Sequence, residues 1–91
     1  MAMASDKEIK DLTDTQGKWQ REGESLVANL ELKDFAEAMK FVNRVAEKAE
    51  KANHHPDIDI RWNKVRLVLS THSEGGITQK DLDLARQIVL A

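Results

Sequence analysis

Between residues 34 and 72 the apolar spacing of the chain changes period once, and Pro56 stands at the change. Upstream, Phe35, Ala38, Met39, Val42, Val45, Ala46, Ala49 and Ala52 recur three and four apart, which places them on one face of an α-helix. Downstream, Ile58, Ile60 and Trp62 alternate with Asp57, Asp59 and Arg61, the two-residue period of a strand. Proline disfavours helical geometry in the residue before it, so the helix has to stop near Asn53 or His54. A long helix that ends on Asn53-His54-His55-Pro56 and runs straight into a strand therefore organises the fold.

The helix opens on Asp34-Phe35-Ala36-Glu37, with carboxylates at the N-cap and N3 positions where the helix dipole favours them. Phe41 lies beside Val45 on the helical wheel and extends the apolar stripe. At such a margin it is expected to meet a partner helix. The strand after Pro56 returns through a second one carrying Val65, Leu67 and Leu69 on one face. Asn63-Lys64 is the expected two-residue turn. It pairs Trp62 with Val65, Ile60 with Leu67 and Ile58 with Leu69, so the apolar faces agree. Extended by the same count, this register sets His55 opposite His72, with Cβ atoms roughly 5 Å apart.

The remaining segments complete one domain over residues 1–91. Ser5 and Glu8 have capping-box spacing and open a short helix carrying Ile9 and Leu12, which ends near Gln16-Gly17. Residues 18–22 and 25–32 form a hairpin in which Leu26, Ala28, Leu30 and Leu32 face one way. Thr78 and Asp81 cap a last helix with Leu82, Ala85, Ile88 and Val89 inward. Residues 1–4 are expected to be a disordered tail. The order predicts an α+β fold, a four-stranded antiparallel sheet with three helices packed on one face.

Composition removes whole classes of function. No cysteine is present, which excludes disulfides, thiolate nucleophiles and zinc knuckles. The net charge is −2 with both signs interspersed, and no basic block or aromatic surface suits a nucleic acid. No apolar run is long enough for a membrane span and no signal-peptide core opens the chain, so a cytoplasmic location is expected.

Chemistry then rests on His54, His55 and His72, with Glu50, Asp57 and Asp81 nearby in sequence. The histidines can be structural, closing a helix and a hairpin. They can form a three-histidine metal site, although adjacent residues diverge and the usual ligand spacings are missing. Or they can run acid–base chemistry on a small organic substrate, since imidazole donates and accepts protons near neutral pH. No serine nucleophile with a base and no phosphate-binding glycine loop competes with the last reading.

The segments Glu50-Lys51-Ala52-Asn53-His54-His55-Pro56, Trp62-Asn63-Lys64-Val65, Ser70-Thr71-His72 and Gly76-Ile77-Thr78-Gln79-Lys80-Asp81, in this order, resemble the pterin-4a-carbinolamine dehydratases. Asp34-Phe35-Ala36-Glu37-Ala38 and Phe41-Val42-Asn43 are similar to that family's long helix, so the resemblance spans residues 5–90. It implies a dehydratase that expels water across C4a and N5 of a 4a-hydroxytetrahydropterin, giving a quinonoid dihydropterin for recycling, with neither metal nor organic cofactor. It implies His54, His55 and His72 as the catalytic set. In it His54 and His72 move protons while His55 holds the pterin. Asn53, Ser70, Thr71 and Ser73 are implied to line the substrate pocket beside the histidines, with Glu50, Pro56 and Asp81 in support. The expected partners are a pterin substrate and further copies of the chain, as a dimer or tetramer. Nucleic acid and membrane are not expected. Animal members of the family also act as dimerisation cofactors of a homeodomain transcription factor through the helical surface that forms the homotetramer. A non-catalytic interaction module or assembly scaffold is therefore the alternative function.

Overall fold

The computed structural model describes residues 3–88, and in it the chain folds as α1 (Asp6–Thr15), β1 (Trp19–Glu22), β2 (Ser25–Glu31), α2 (Phe35–Ala52), β3 (Asp57–Arg61), β4 (Lys64–Leu69) and α3 (Gln79–Gln87). A single 3₁₀ turn, His72–Glu74, lies between β4 and α3. The strands form one antiparallel sheet in the order β1-β2-β4-β3, with α1, α2 and α3 on one face, as the α+β expectation required.

Alternation in the sequence becomes a two-sided sheet. Trp19, Ala28, Leu67 and Ile58 form one row across the four strands, and Leu30, Val65 and Ile60 form the next. Trp19, Ala28, Leu67 and Val65 are buried in one cluster with Ile9 and Leu12 of α1, Phe41 and Val45 of α2, and Leu82 and Ala85 of α3. Burying a leucine- or phenylalanine-sized side chain contributes about 1.5–3 kcal/mol, so this cluster supplies the main driving force for folding.

The caps set where the helices begin. Ser5 and Glu8 exchange both hydrogen bonds of a capping box, and Thr78 and Asp81 form another at α3. At α2 only the first half forms. Asp34 Oδ1 accepts from the Glu37 N–H at 2.9 Å, while the Glu37 carboxylate turns to Lys40 Nζ at 3.1 Å.

Several expectations need correction. Phe41 is 3% exposed and belongs to the core, whereas Phe35 is 50% exposed. The buried positions of α2 are Ala38, Phe41, Val42, Val45 and Ala49, while Ala46 and Ala52 are exposed and Met39 is half-buried. α3 docks alongside α2, so the helix turns its Phe41 side towards two neighbours, the sheet and α3. For the same reason Leu84 is fully buried although the predicted α3 stripe omits it. Val89 lies outside the described residues.

The β3–β4 register is shifted by two positions. Arg61 pairs with Lys64, Ile60 with Val65 and Ile58 with Leu67, so the loop is Trp62-Asn63. Asn63 is anchored to Leu32 twice, through its carbonyl at 2.8 Å and its side-chain amide at 2.9 Å, and that contact selects the loop. Trp62 takes φ 51°, the positive value such hairpin turns need at a position glycine usually fills. A shift of two keeps Ile60, Val65 and Leu67 on the helix side, but it moves Trp62 off the apolar face into the loop, where it is 65% exposed, and it removes the predicted His55–His72 pairing. Met3 and Ala4 are not a loose tail: Met3 bridges to Thr78 and the Ala4 N–H donates to the Ile77 carbonyl at 2.8 Å. Residues 1 and 2 lie outside the described residues.

Candidate functional site

The site begins with the way α2 stops. Asn53 adopts the left-handed conformation, φ 50° and ψ 42°, which asparagine tolerates better than other residues with a Cβ. The Asn53 N–H donates to the Glu50 carbonyl and the His54 N–H to the Ala49 carbonyl, both at 3.2 Å, which is a Schellman closure. The chain therefore reverses sharply, and His54 and His55 leave the helix end in different directions.

His54 turns inward. Its Nε2 lies 2.5 Å from Asp81 Oδ1 at the first turn of α3, with the His54 side chain 12% exposed and Asp81 fully buried. The other carboxylate oxygen, Oδ2, accepts from Thr71 Oγ1 at 2.8 Å and from the Thr78 N–H at 2.9 Å. The Thr71 and Thr78 hydroxyls are themselves 2.8 Å apart, and both residues are buried. Asp81 is thus both the N3 cap of α3 and the partner of His54. A buried carboxylate has to be compensated, and here the Thr71 hydroxyl and the Thr78 N–H donate to it and His54 Nε2 lies within hydrogen-bond distance.

His55 turns outward, with its Nε2 2.5 Å from Glu50 Oε2 on the last turn of α2. Both side chains are more than half exposed, so solvent screens this pair and it contributes little to stability. Pro56, half-buried, leads directly into β3.

The third segment is placed by the end of β4. Ser70 Oγ donates to the Glu24 carbonyl at 2.9 Å, tying β4 to the β1–β2 turn. Thr71 and Gly76 pair through both main-chain bonds and close a loop that contains His72 and Ser73, both exposed. Gly76 is closely approached by two side-chain ends: a Cβ there would lie 2.3 Å from Met3 Cε and 2.5 Å from a Glu24 carboxylate oxygen, so both would have to shift aside.

Of the residues expected in the site, the structure joins His54, Thr71 and Asp81 in one network and His55 with Glu50 in another. His72 follows Thr71 directly, so its backbone starts beside the first network. Thr78 was legible only as a helix cap, and its hydroxyl contact with Thr71 has no signature in spacing. Among the described residues no three His, Cys, Asp or Glu side chains converge as a metal site. A separate concavity of about 400 Å³ on the opposite, helix-free side of the sheet is lined by Asn29, Glu31, Asp59, Arg61 and Arg66, and it includes none of the histidines. Its charges are mixed and exposed.

The pattern shared by the pterin 4 alpha carbinolamine dehydratases matches residues 2–90. A relative from Thermomicrobium roseum, named as a pterin-4-alpha-carbinolamine dehydratase, is 52% identical over 97% of this chain and 95% of its own length. One of the same name from Acidobacterium capsulatum is 49% identical over 97% of this chain and 96% of its own. Among solved structures, the transcriptional coactivator/pterin dehydratase from Brucella melitensis superposes with a TM-score of 0.88 at 31% identity, covering 96% of this chain and 95% of that one.

Proposed function

The chain belongs to the pterin 4 alpha carbinolamine dehydratase family and is a hydro-lyase of that kind, and from that premise we propose that histidine acid–base catalysis carries its reaction. The substrate is a 4a-hydroxytetrahydropterin, and the dehydration serves tetrahydropterin recycling. In the reaction N5 loses its proton, the electron pair left on nitrogen closes C4a=N5, the C4a–O bond breaks with its pair on oxygen, and the oxygen leaves as water on receiving a proton. One group has to accept a proton and another has to donate one. Imidazoles do both near neutral pH, and the natural pair is His54 and His72, with His55 against the pterin.

The observation that carries this reading is the His54–Asp81 contact, 2.5 Å between a nearly enclosed imidazole and a fully buried carboxylate. A carboxylate behind a histidine fixes the ring's orientation and stabilises the imidazolium that forms on protonation. Asn53, Ser70 and Ser73 flank the histidines on both segments and line the pocket in this proposal, with Glu50 orienting His55. The reaction calls on neither metal nor organic cofactor. Stopped-flow absorbance tests it, using freshly generated 4a-carbinolamine and protein dialysed against EDTA. Quinonoid dihydropterin should form well above the buffer rate. A rate equal to buffer, or one restored only by adding Zn²⁺, would refute the proposal.

The same chain is proposed to work in the cytoplasm as a homo-oligomer, dimer or tetramer, without direct binding of nucleic acid. No helix among the described residues is long and apolar enough to cross a membrane. The support for assembly moves from Phe41 to Phe35, which is 50% exposed on α2, and to β1 and β3, the two open sheet edges. An interaction role like the coactivator name of the Brucella protein is the second reading, and exposed Phe35 is the observation that favours it. Sedimentation equilibrium on the native protein and on Phe35→Glu tests the assembly, which a monomeric native protein would exclude.

A further inference from the structure

We infer that Thr78 and Thr71 are positioning residues that set the tautomer of His54, so that its Nδ1 is the bare nitrogen which accepts the N5 proton. The inference rests on the proposed role of His54 in proton transfer. It follows from counting hydrogens in a buried network. Asp81 Oδ2 faces the Thr78 N–H at 2.9 Å, and that group can only donate. The same oxygen lies 2.8 Å from Thr71 Oγ1. If the Thr71 hydrogen pointed elsewhere, two lone pairs would face each other in a buried site unless Oδ2 carried a proton of its own. Oδ2 is already receiving the main-chain hydrogen at the positive end of α3, so the Thr71 hydroxyl donates to it.

With the Thr71 hydrogen committed, the 2.8 Å contact between the hydroxyls has to be a donation from Thr78 to Thr71. Thr78 is free to give it because its oxygen accepts from the Lys80 N–H as the N-cap. All the donations run towards Asp81, leaving Oδ1 an acceptor for His54. The hydrogen in the 2.5 Å contact therefore sits on His54 Nε2. Among the described residues Nδ1 has no protein partner. A neutral imidazole with Nε2–H and a bare Nδ1 is a base, which gives His54 the N5 proton and leaves His72 to protonate the departing 4a-hydroxyl. Protons balance, one accepted and one delivered, and the enzyme resets by returning the proton from His54 to water and reprotonating His72.

A purely structural role for Thr78, capping α3, predicts lower stability with an unchanged tautomer. The test therefore reads the tautomer directly, by long-range ¹H–¹⁵N NMR of histidine-labelled protein without substrate. The native protein should show His54 protonated at Nε2. Thr78→Val and Thr71→Val keep the shape and remove one hydroxyl each. Both should give a mixture of His54 tautomers, and kcat should fall on the order of tenfold with KM little changed, as for other partners behind an oriented imidazole. Thr78→Ser should restore the native spectrum and rate. Native His54 protonated at Nδ1, or an unchanged tautomer in both valine variants, overturns the inference. Should Thr78→Val fail to fold, Thr71→Val decides alone. Because these spectra need no turnover, they separate from the wider proposal: native activity in His54→Ala would end the catalytic assignment while leaving the tautomer as observed.

Discussion

Asp81→Asn separates what the buried carboxylate does for the fold from what it does for the chemistry. The side chain is fully buried and makes three hydrogen bonds, at 2.5, 2.8 and 2.9 Å. Asparagine has the same shape, and its amide oxygen still satisfies Thr71 and the Thr78 N–H. What changes is the atom opposite His54, where an NH₂ replaces a carboxylate oxygen. Exchanging one charge-assisted hydrogen bond for a neutral one costs about 1 kcal/mol. For a chain of this length, total stability is on the order of 5–14 kcal/mol, so the variant stays folded. The chemistry has no such margin. Two donors cannot face each other, so the His54 proton moves to Nδ1 and the base is lost. That change is expected to lower kcat by about 10²–10⁴-fold, or about 3–5 kcal/mol in the barrier. Asp81→Ala, by contrast, orphans the Thr78 N–H and the Thr71 hydroxyl and removes the Asp81 half of the α3 capping box, costing about 3 kcal/mol. Urea unfolding followed through Trp19, which is 1% exposed, gives the stabilities, and stopped-flow dehydration gives the rates. Native-like turnover in Asp81→Asn would refute the reasoning, as would a rate loss no larger than its loss of stability.

Three other expectations follow from the same geometry. Asn53→Gly should leave stability close to native, whereas Asn53→Val, which places a β-branched residue at φ 50°, should cost about 1–2 kcal/mol and lower activity by misplacing both histidines; urea unfolding and the dehydration assay measure this. Phe41→Ala should cost about 3–5 kcal/mol in urea unfolding without changing the mass seen in sedimentation, because the ring lies in the chain's own core. The Glu8 carboxyl is held below its ordinary range, chiefly by the Ser5 N–H and then by Gln79, so the stability it lends α1 is present above its unfolded value and is lost as pH falls through the folded one; amide exchange in α1 should accelerate on acidification in the native protein and respond less in Glu8→Gln.

The parts of this fold that local chemistry decides were legible in the residues. Ser5, Asp34 and Thr78 mark the three helix starts, and the alternation from Ile58 to Leu69 marks a hairpin whose apolar face is right except for Trp62, which the turn exposes. The register slipped by two because alternation determines only parity. The choice between Trp62-Asn63 and Asn63-Lys64 as the loop was made by Leu32, distant in sequence, which holds Asn63. Phe41 was misplaced for a similar reason. A helical wheel identifies an apolar stripe, but where α3 docks decides which edge of it becomes the centre. The pairing of Met3 and Ala4 with Ile77 and Thr78 is made by main-chain atoms and leaves no side-chain trace. In the site, His54 and Asp81 were legible as residues and their contact was not, since it spans α2 and α3. Thr78 was hidden by doing two jobs, one of them the common one of a cap.

The central claim is that His54 and His72 exchange protons with the pterin. Its most direct measurement is the single-turnover rate of carbinolamine dehydration by the His54→Ala and His72→Ala proteins, each shown by circular dichroism to be folded. Each should be slower than the native enzyme by about 10²-fold or more, the usual scale of general acid–base catalysis. Native rates in both variants would contradict the claim.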